Sequence, residues 1–221
     1  MRLFIAFELP AAWRDVATHA QSALRTATAP RLLRFVDPDL MHLTLRFLGE
    51  VDGDAAARLT AELDRRLADV DVALALGAAG TFGPAARTAV AWLGVDGDRA
   101  ALDELVRRIE AAVTAAGLLA EARPFRPHLT LARVARGASA EQRRAIAATV
   151  ASLDPPPPSP MRFRELVVVR SYLGGAQPRD EVLTRTLYRA HRDPLRPADS
   201  DRDTGLTDRS LDAYAAGEEF R

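Results

Sequence analysis

One tetrapeptide occurs twice in this chain of 221 residues, as His42-Leu43-Thr44-Leu45 and as His128-Leu129-Thr130-Leu131. The two histidines lie 86 residues apart (128 − 42), so any job they share is done in space and not along the chain. In a strand, residues i and i+2 face the same way. Each copy therefore aims a histidine and a threonine to one side and two leucines to the other. A fold that accommodates both must bury two leucine faces while turning two imidazoles and two hydroxyls toward one cavity.

The flanking sequence supplies elements for such a fold. Arg2 to Leu9 is rich in β-formers, and Pro10 suits the first turn of a helix whose apolar positions Trp13, Val16, Ala17, Ala20 and Leu24 recur at helical spacing. Leu32 to Val36 reads as a short strand, Asp37-Pro38-Asp39 as a turn, and Met41 to Leu48 as the first motif strand. Asp52 or Asp54 can cap a helix carrying Leu59, Leu63 and Leu67. Val72 to Leu76 and Thr81-Phe82 look like strand material broken up by Gly77, Gly80, Gly83 and Pro84, and Thr88 to Val95 is a clearer strand. Leu102, Leu105, Val106, Ile109, Ala112 and Val113 mark an amphipathic helix ending at Gly117. The second motif strand, His128 to Val134, is followed by a capping-box pattern at Ser139–Gln142 and a helix to about Leu153. A proline-rich connector, a strand from Met161 to Arg170, a Gly174-Gly175 loop and a strand from Glu181 to Tyr188 complete the pattern. The arrangement is α+β: two related halves, each with a motif strand followed by a helix, and mixed or antiparallel sheets. Residues 1–188 form the domain; the polar tail, 189–221, is too poor in large apolar residues to offset its ordering entropy and is expected to be largely disordered, with a short helix at most at Leu206 to Tyr214.

Composition removes several classes of function. The formal net charge is zero, which argues against a protein that coats nucleic acid, although a local basic cleft is compatible with it. All 30 basic residues are arginine, so arginine identity alone says little about phosphate binding. The chain has no cysteine, which removes disulfides, thiolate chemistry and cysteine-ligated zinc. No secretory signal and no spanning helix is recognisable, so a cytoplasmic protein is expected.

The residues of the repeat suit phosphoryl chemistry. Opening a cyclic phosphodiester needs a base to activate water and an acid to protonate the leaving alkoxide, and histidine serves either role near neutrality. Threonine hydroxyls can donate to non-bridging phosphate oxygens. A metal site would need further His, Cys, Asp or Glu ligands, yet alternation puts threonine beside each histidine, so no metal is expected. Arg46 shares the alternation face of His42 and Thr44; Arg133 would share that of His128 only if the strand bulged. Both are candidates for substrate phosphate, and Phe47, Phe125 and Tyr172 are candidates to stack on a base. His19, in a helix, and His191, in the tail, are read as ordinary core-boundary and surface residues.

The start Met1-Arg2-Leu3-Phe4-Ile5-Ala6-Phe7, the stretch His42 to Val51 and the stretch Phe125 to Arg133 together resemble the 2H phosphoesterase superfamily, and within it the bacterial and archaeal RNA 2′,3′-cyclic phosphodiesterases, historically termed 2′-5′ RNA ligases. The resemblance spans about residues 1 to 188. It implies a bilobal, pseudo-twofold LigT-like fold with both motifs in a central cleft, and no cofactor or metal. It implies hydrolysis of a terminal RNA 2′,3′-cyclic phosphate to a 2′-phosphomonoester, with reversible 2′-5′ joining in some members. On this chain His42 would protonate the leaving 3′ oxygen, His128 would activate water, and Thr44 and Thr130 would hold the phosphate. The implied partner is an RNA end, tRNA fragments included, and the implied state a monomer. Asp180 stands where an aromatic residue is expected, so no stacking role is expected there. Two alternatives keep the site but change its use: a phosphodiesterase for small cyclic nucleotides or ADP-ribose cyclic phosphate, and a non-catalytic RNA-end-binding module.

Overall fold

The computed structural model describes residues 1–67, 71–155, 160–172 and 179–187. The tail with His191, the segment 156–159 of the proline-rich connector, the Gly174-Gly175 loop, Tyr188 at the end of the last expected strand, and the Asp180 side chain lie outside the described residues. The chain runs β1 (Arg2–Glu8), α1 (Ala11–Ala27), β2 (Leu33–Phe35), a 3-10 turn at Pro38–Leu40, β3 (His42–Glu50) and α2 (Gly53–Arg66). It continues through β4 (Val72–Phe82), a 3-10 turn at Ala85–Arg87, β5 (Val90–Gly97), α3 (Arg99–Ala115), β6 (His128–Val134) and α4 (Ala140–Ala151). Three strands follow, β7 (Met161–Phe163), β8 (Glu165–Tyr172) and β9 (Arg179–Leu187).

The strands form two sheets, ordered β3-β1-β8-β9 and β2-β6-β5-β4-β7, and every described pairing is antiparallel. The unit β1-α1-β3-α2 matches β5-α3-β6-α4: in each, a strand and a later motif strand pair around an intervening 17-residue helix. This is the twofold pattern implied by the repeated tetrapeptide. Strand order repeats it as well, since β3-β1-β8-β9 corresponds to β6-β5-β4-β7.

Two connections lock the halves together. Strand β2 comes from the first half but pairs with β6 in the second sheet. The stretch read from sequence as one strand, Met161 to Arg170, changes sheet at Arg164, so that β7 edges the second sheet while β8 lies inside the first. Arg162 and Arg164 on either side of Phe163 both reach Asp71, at 2.5 and 3.1 Å, and hold its carboxyl below the usual carboxylate range. Phe163 itself packs 4.8 Å from Phe7 and 5.1 Å from Trp13, measured between ring centroids. A single apolar cluster joins Leu3, Ile5 and Phe7 of β1, the four motif leucines and the inner faces of all four helices.

Side-chain caps open three of the helices, at the expected positions for α2 and α4. Asp52 and Asp98 accept from Ala55 N–H at 2.7 Å and Ala101 N–H at 2.9 Å, and Ser139 and Gln142 form the reciprocal capping box. Strand β4 departs from the sequence reading. The glycines do not break the strand; its 11 residues run through, with one register irregularity between Leu76 and Ala79. The reason lies in β5. A Cβ at Gly77 would stand 2.2 Å from the Asp96 carboxylate, and one at Gly80 would stand 2.3 Å from the Trp92 ring. These glycines make room for cross-strand side chains, a use that local turn propensity cannot reveal.

Candidate active site

Strands β3 and β6 pack against one another although they belong to different sheets. Their motif leucines are buried: Leu43, Leu45, Leu129 and Leu131 are at most 3% exposed. His42, Thr44, His128 and Thr130 are half-buried and line one cleft of about 1470 Å³.

The two histidines are held alike. The Nδ1 of His42 lies 2.9 Å from the Leu40 carbonyl, and the Nδ1 of His128 lies 2.7 Å from the Arg126 carbonyl, two residues upstream in each case. A carbonyl can only accept, so Nδ1 carries the hydrogen in both rings and Nε2 is the nitrogen left to exchange a proton. Burial holds the His128 pKa below the ordinary histidine value; the bond to Arg126 opposes this shift and the positive charge of Arg133 adds to it.

Each imidazole also has an aromatic wall. Phe4 stacks on His42 with centroids 4.3 Å apart, and Phe47 also stacks on Phe4, at 5.5 Å. Phe82 meets His128 edge-on at 4.6 Å, with Trp92 at 6.4 Å. Phe4, Phe82 and Trp92 are site residues that the sequence reading does not single out. Cross-strand register brings them there: Phe4 pairs with Phe47 and Ala6 with Thr44, Trp92 pairs with Thr130, and Phe82 on β4 pairs with Val90 on β5.

A bulge in each motif strand corrects the alternation argument for the arginines. On β3, Ile5 pairs with Arg46 but Ala6 pairs with Thr44, which leaves Leu45 extra. On β6, Ala91 pairs with Ala132 but Trp92 pairs with Thr130, which leaves Leu131 extra at the equivalent position. Beyond each bulge the faces exchange. Arg46 and Ala132 turn inward, whereas Phe47 and Arg133 take the face of the histidine and threonine and are exposed. Arg46 is therefore only 8% exposed, and its guanidinium is engaged by Glu110, by the Leu119 carbonyl at 2.6 Å and by the Phe47 carbonyl. Phe125 lines the cleft while packing on the core. Tyr172 lies under Arg170, with the guanidinium 4.5 Å from the ring centroid; its neighbour Ser171 lines the cleft and Tyr172 does not.

The bulge on β6 has its own clamp. The Leu131 carbonyl accepts from Val36 N–H at 3.0 Å and from the Gln21 side chain at 2.9 Å, and Gln21 also donates to the Val36 carbonyl at 2.7 Å. Gln21, on α1, is 1% exposed.

The cleft is electropositive in a chain of zero net charge. Seven arginines and three carboxylates line it, and two of the carboxylates, Glu110 and Glu121, are paired with Arg46 and Arg123. Arg123 holds the Glu121 carboxyl down to about 2. Arg2, Arg25, Arg34, Arg126 and Arg133 remain against the one other lining carboxylate, Asp37. Among the described residues no three His, Cys, Asp or Glu side chains converge as a metal-ligand set, and no helix is long and apolar enough to cross a membrane.

Comparison with known proteins agrees with this geometry. Residues 10–175 match the family model of the 2′-5′ RNA ligase superfamily. The chain is 35% identical over 132 residues to the RNA 2′,3′-cyclic phosphodiesterase of Escherichia coli K12, covering 60% of this chain and 71% of that protein. It is 29% identical over 179 residues to the RNA 2′,3′-cyclic phosphodiesterase of Methanothermobacter thermautotrophicus, covering 80% and 94%. Among solved structures, TT0787 of Thermus thermophilus superposes with a TM-score of 0.67 at 26% identity, and E. coli LigT complexed with 3′-AMP with a TM-score of 0.66 at 27% identity, each over 86% of this chain and 98% of the other. The chain belongs to the 2′-5′ RNA ligase superfamily, with the 2H phosphoesterase fold and with RNA 2′,3′-cyclic phosphodiesterases of bacteria and archaea as its relatives.

Proposed function

We propose that this chain hydrolyses the 2′,3′-cyclic phosphodiester at RNA ends to a 2′-phosphomonoester, using its two motif histidines as acid and base and no metal. The observation that carries the reading is the matched anchoring of two imidazoles, each with Nδ1 committed to a carbonyl and each beside a threonine, in one basic cleft. His128 takes the role of base, since burial lowers its pKa and so favours the neutral ring that can accept a proton. In this mechanism Nε2 of His128 takes a proton from water as the water oxygen attacks phosphorus. The bond from phosphorus to the 3′ oxygen breaks, and His42 in its protonated form gives that oxygen a proton. Proton exchange with solvent then restores both rings. Thr44 and Thr130 donate to the non-bridging oxygens, where charge builds.

The joining reaction needs no further group. A 5′-hydroxyl attacking in place of water, with the same loss of the 3′ oxygen, leaves a 2′-5′ linkage. Relatives named for the activity and a LigT structure complexed with phosphate, with a TM-score of 0.60 at 27% identity, support the reading. It carries with it a cytoplasmic monomer acting on RNA ends, tRNA fragments among them. The test is an oligoribonucleotide bearing a terminal 2′,3′-cyclic phosphate, incubated in EDTA, with the product assigned as 2′- or 3′-phosphate. A 2′-phosphate formed in EDTA is expected. No turnover, or turnover only with added metal, would overturn the proposal.

A further inference from the structure

Strand β2 brings one more arginine to the site. Arg34 pairs directly with Arg133 across β2 and β6, so the two side chains leave the same face of the sheet. Both are exposed, both line the cleft that holds the two histidines, and neither guanidinium makes a hydrogen bond or ion pair among the described residues. Like charges placed directly opposite across a ladder destabilise it. The pair is nonetheless built into the fold: β2 is the element exchanged from the first half into the second sheet, and the Gln21 clamp fixes both its end at Val36 and the bulge that turns Arg133 to this face.

We infer that Arg34, with Arg133, forms a second anion subsite that takes the phosphodiester one nucleotide upstream of the cyclic end, and so makes the enzyme selective for oligonucleotides over cyclic mononucleotides. The inference rests on the proposed activity and specifies its substrate. Spacing supports it. Thr130, Ala132 and Arg133 are successive partners of Trp92, Ala91 and Val90, two ladder steps from first to last. At about 3.3 Å per step, roughly 7 Å separates the terminal-phosphate group from the arginine pair. Successive phosphates along a single strand are spaced comparably. Paired guanidiniums suit a diester, since each presents planar donors to one of its two non-bridging oxygens.

The experiment compares adenosine 2′,3′-cyclic phosphate, which has no upstream phosphate, with the dinucleotide ApA ending in a 2′,3′-cyclic phosphate, which has one. Wild type is expected to favour the dinucleotide. Arg34→Gln should lower kcat/KM for the dinucleotide about tenfold or more, the usual loss for a charged hydrogen bond, and leave the mononucleotide within about twofold. The salt dependence of dinucleotide binding should become shallower by about 0.7 in log–log slope, and Arg34→Lys should keep it. Equal effects on both substrates, or none on either, would overturn the subsite while leaving the activity standing. If wild type turned over neither substrate the proposed activity would fail, and the subsite would then stand or fall on binding: equal affinity of wild type and Arg34→Gln for the uncyclised dinucleotide 3′-phosphate would overturn it.

Discussion

Gln21 is the residue through which α1 governs the motif strand, and replacing it gives a graded prediction. Gln21→Met removes two donors' worth of bonding, to the Val36 and Leu131 carbonyls, while filling similar space. Each such bond contributes about 1 kcal/mol net, so about 2 kcal/mol is lost, and up to about 3 if the Val36 carbonyl is left buried without a partner. The Leu131 carbonyl keeps Val36 N–H and adds no such penalty. Against a total stability of about 5–15 kcal/mol the variant still folds. For a domain of this size the loss corresponds to a fall in Tm of about 5–10 °C. Gln21→Glu keeps the shape but brings a charge and no donor into a site that is 1% exposed, and costs more than the methionine. Urea unfolding followed by circular dichroism measures both, with an unchanged m-value as the check that only the native state has altered. Because the clamp holds the bulge that turns Arg133 to the cleft face, kcat/KM on the dinucleotide should fall further than on the mononucleotide. A loss below about 0.5 kcal/mol for the methionine, or a glutamate variant as stable as wild type, would refute it.

Other expectations follow from the same geometry. Arg46→Met should cost about 2–3 kcal/mol by releasing Glu110 and two carbonyls, yet leave kcat near wild type at a permissive temperature; a large fall in kcat with unchanged Tm would return Arg46 to the substrate. Gly80→Ala drives a methyl into the Trp92 ring and should cost about 1–3 kcal/mol, with lowered activity because Trp92 and Phe82 wall His128. The acid limb of the kcat/KM profile should lie below pH 6.5, since burial lowers the His128 pKa; Arg133→Gln removes a neighbouring positive charge, so that limb should move up in pH. The same shift acts on stability. The folded state resists protonation of His128, so its contribution is full above the unfolded value near 6.5 and is lost as pH falls through the folded value.

Much of this fold could be read from the chain because local and global signals agree. The repeated His-Leu-Thr-Leu alternation, the acidic and serine caps, and the helical stripes on α2 and α3 all point to the elements that form. What could not be read depends on contacts between distant residues. Nothing in Leu45 or Leu131 marks them as bulge positions, because a bulge is a property of the pairing with β1 and β5; reading through it puts Arg46 on the wrong face and leaves Phe47 and Arg133 undecided. Gly77 and Gly80 look like breakers until Asp96 and Trp92 are seen across the ladder. Gln21 does carry a signal, as the one amide on the apolar stripe of Ala17, Ala20 and Leu24, but its partners at Val36 and Leu131 belong to other elements. The sheet change at Arg164 is marked by no glycine or proline between Met161 and Arg170.

The central claim is that two histidines divide one acid–base task on a cyclic phosphate. Its most direct measurement is the pH dependence of single-turnover hydrolysis of a 2′,3′-cyclic-phosphate oligonucleotide in EDTA by wild type, His42→Ala and His128→Ala. The account predicts a bell for wild type, loss of the acid limb in His128→Ala, loss of the alkaline limb in His42→Ala, and a fall of about 10²–10⁴ in rate for each. A rate within about tenfold of wild type in either variant, or an unchanged bell in both, would contradict it.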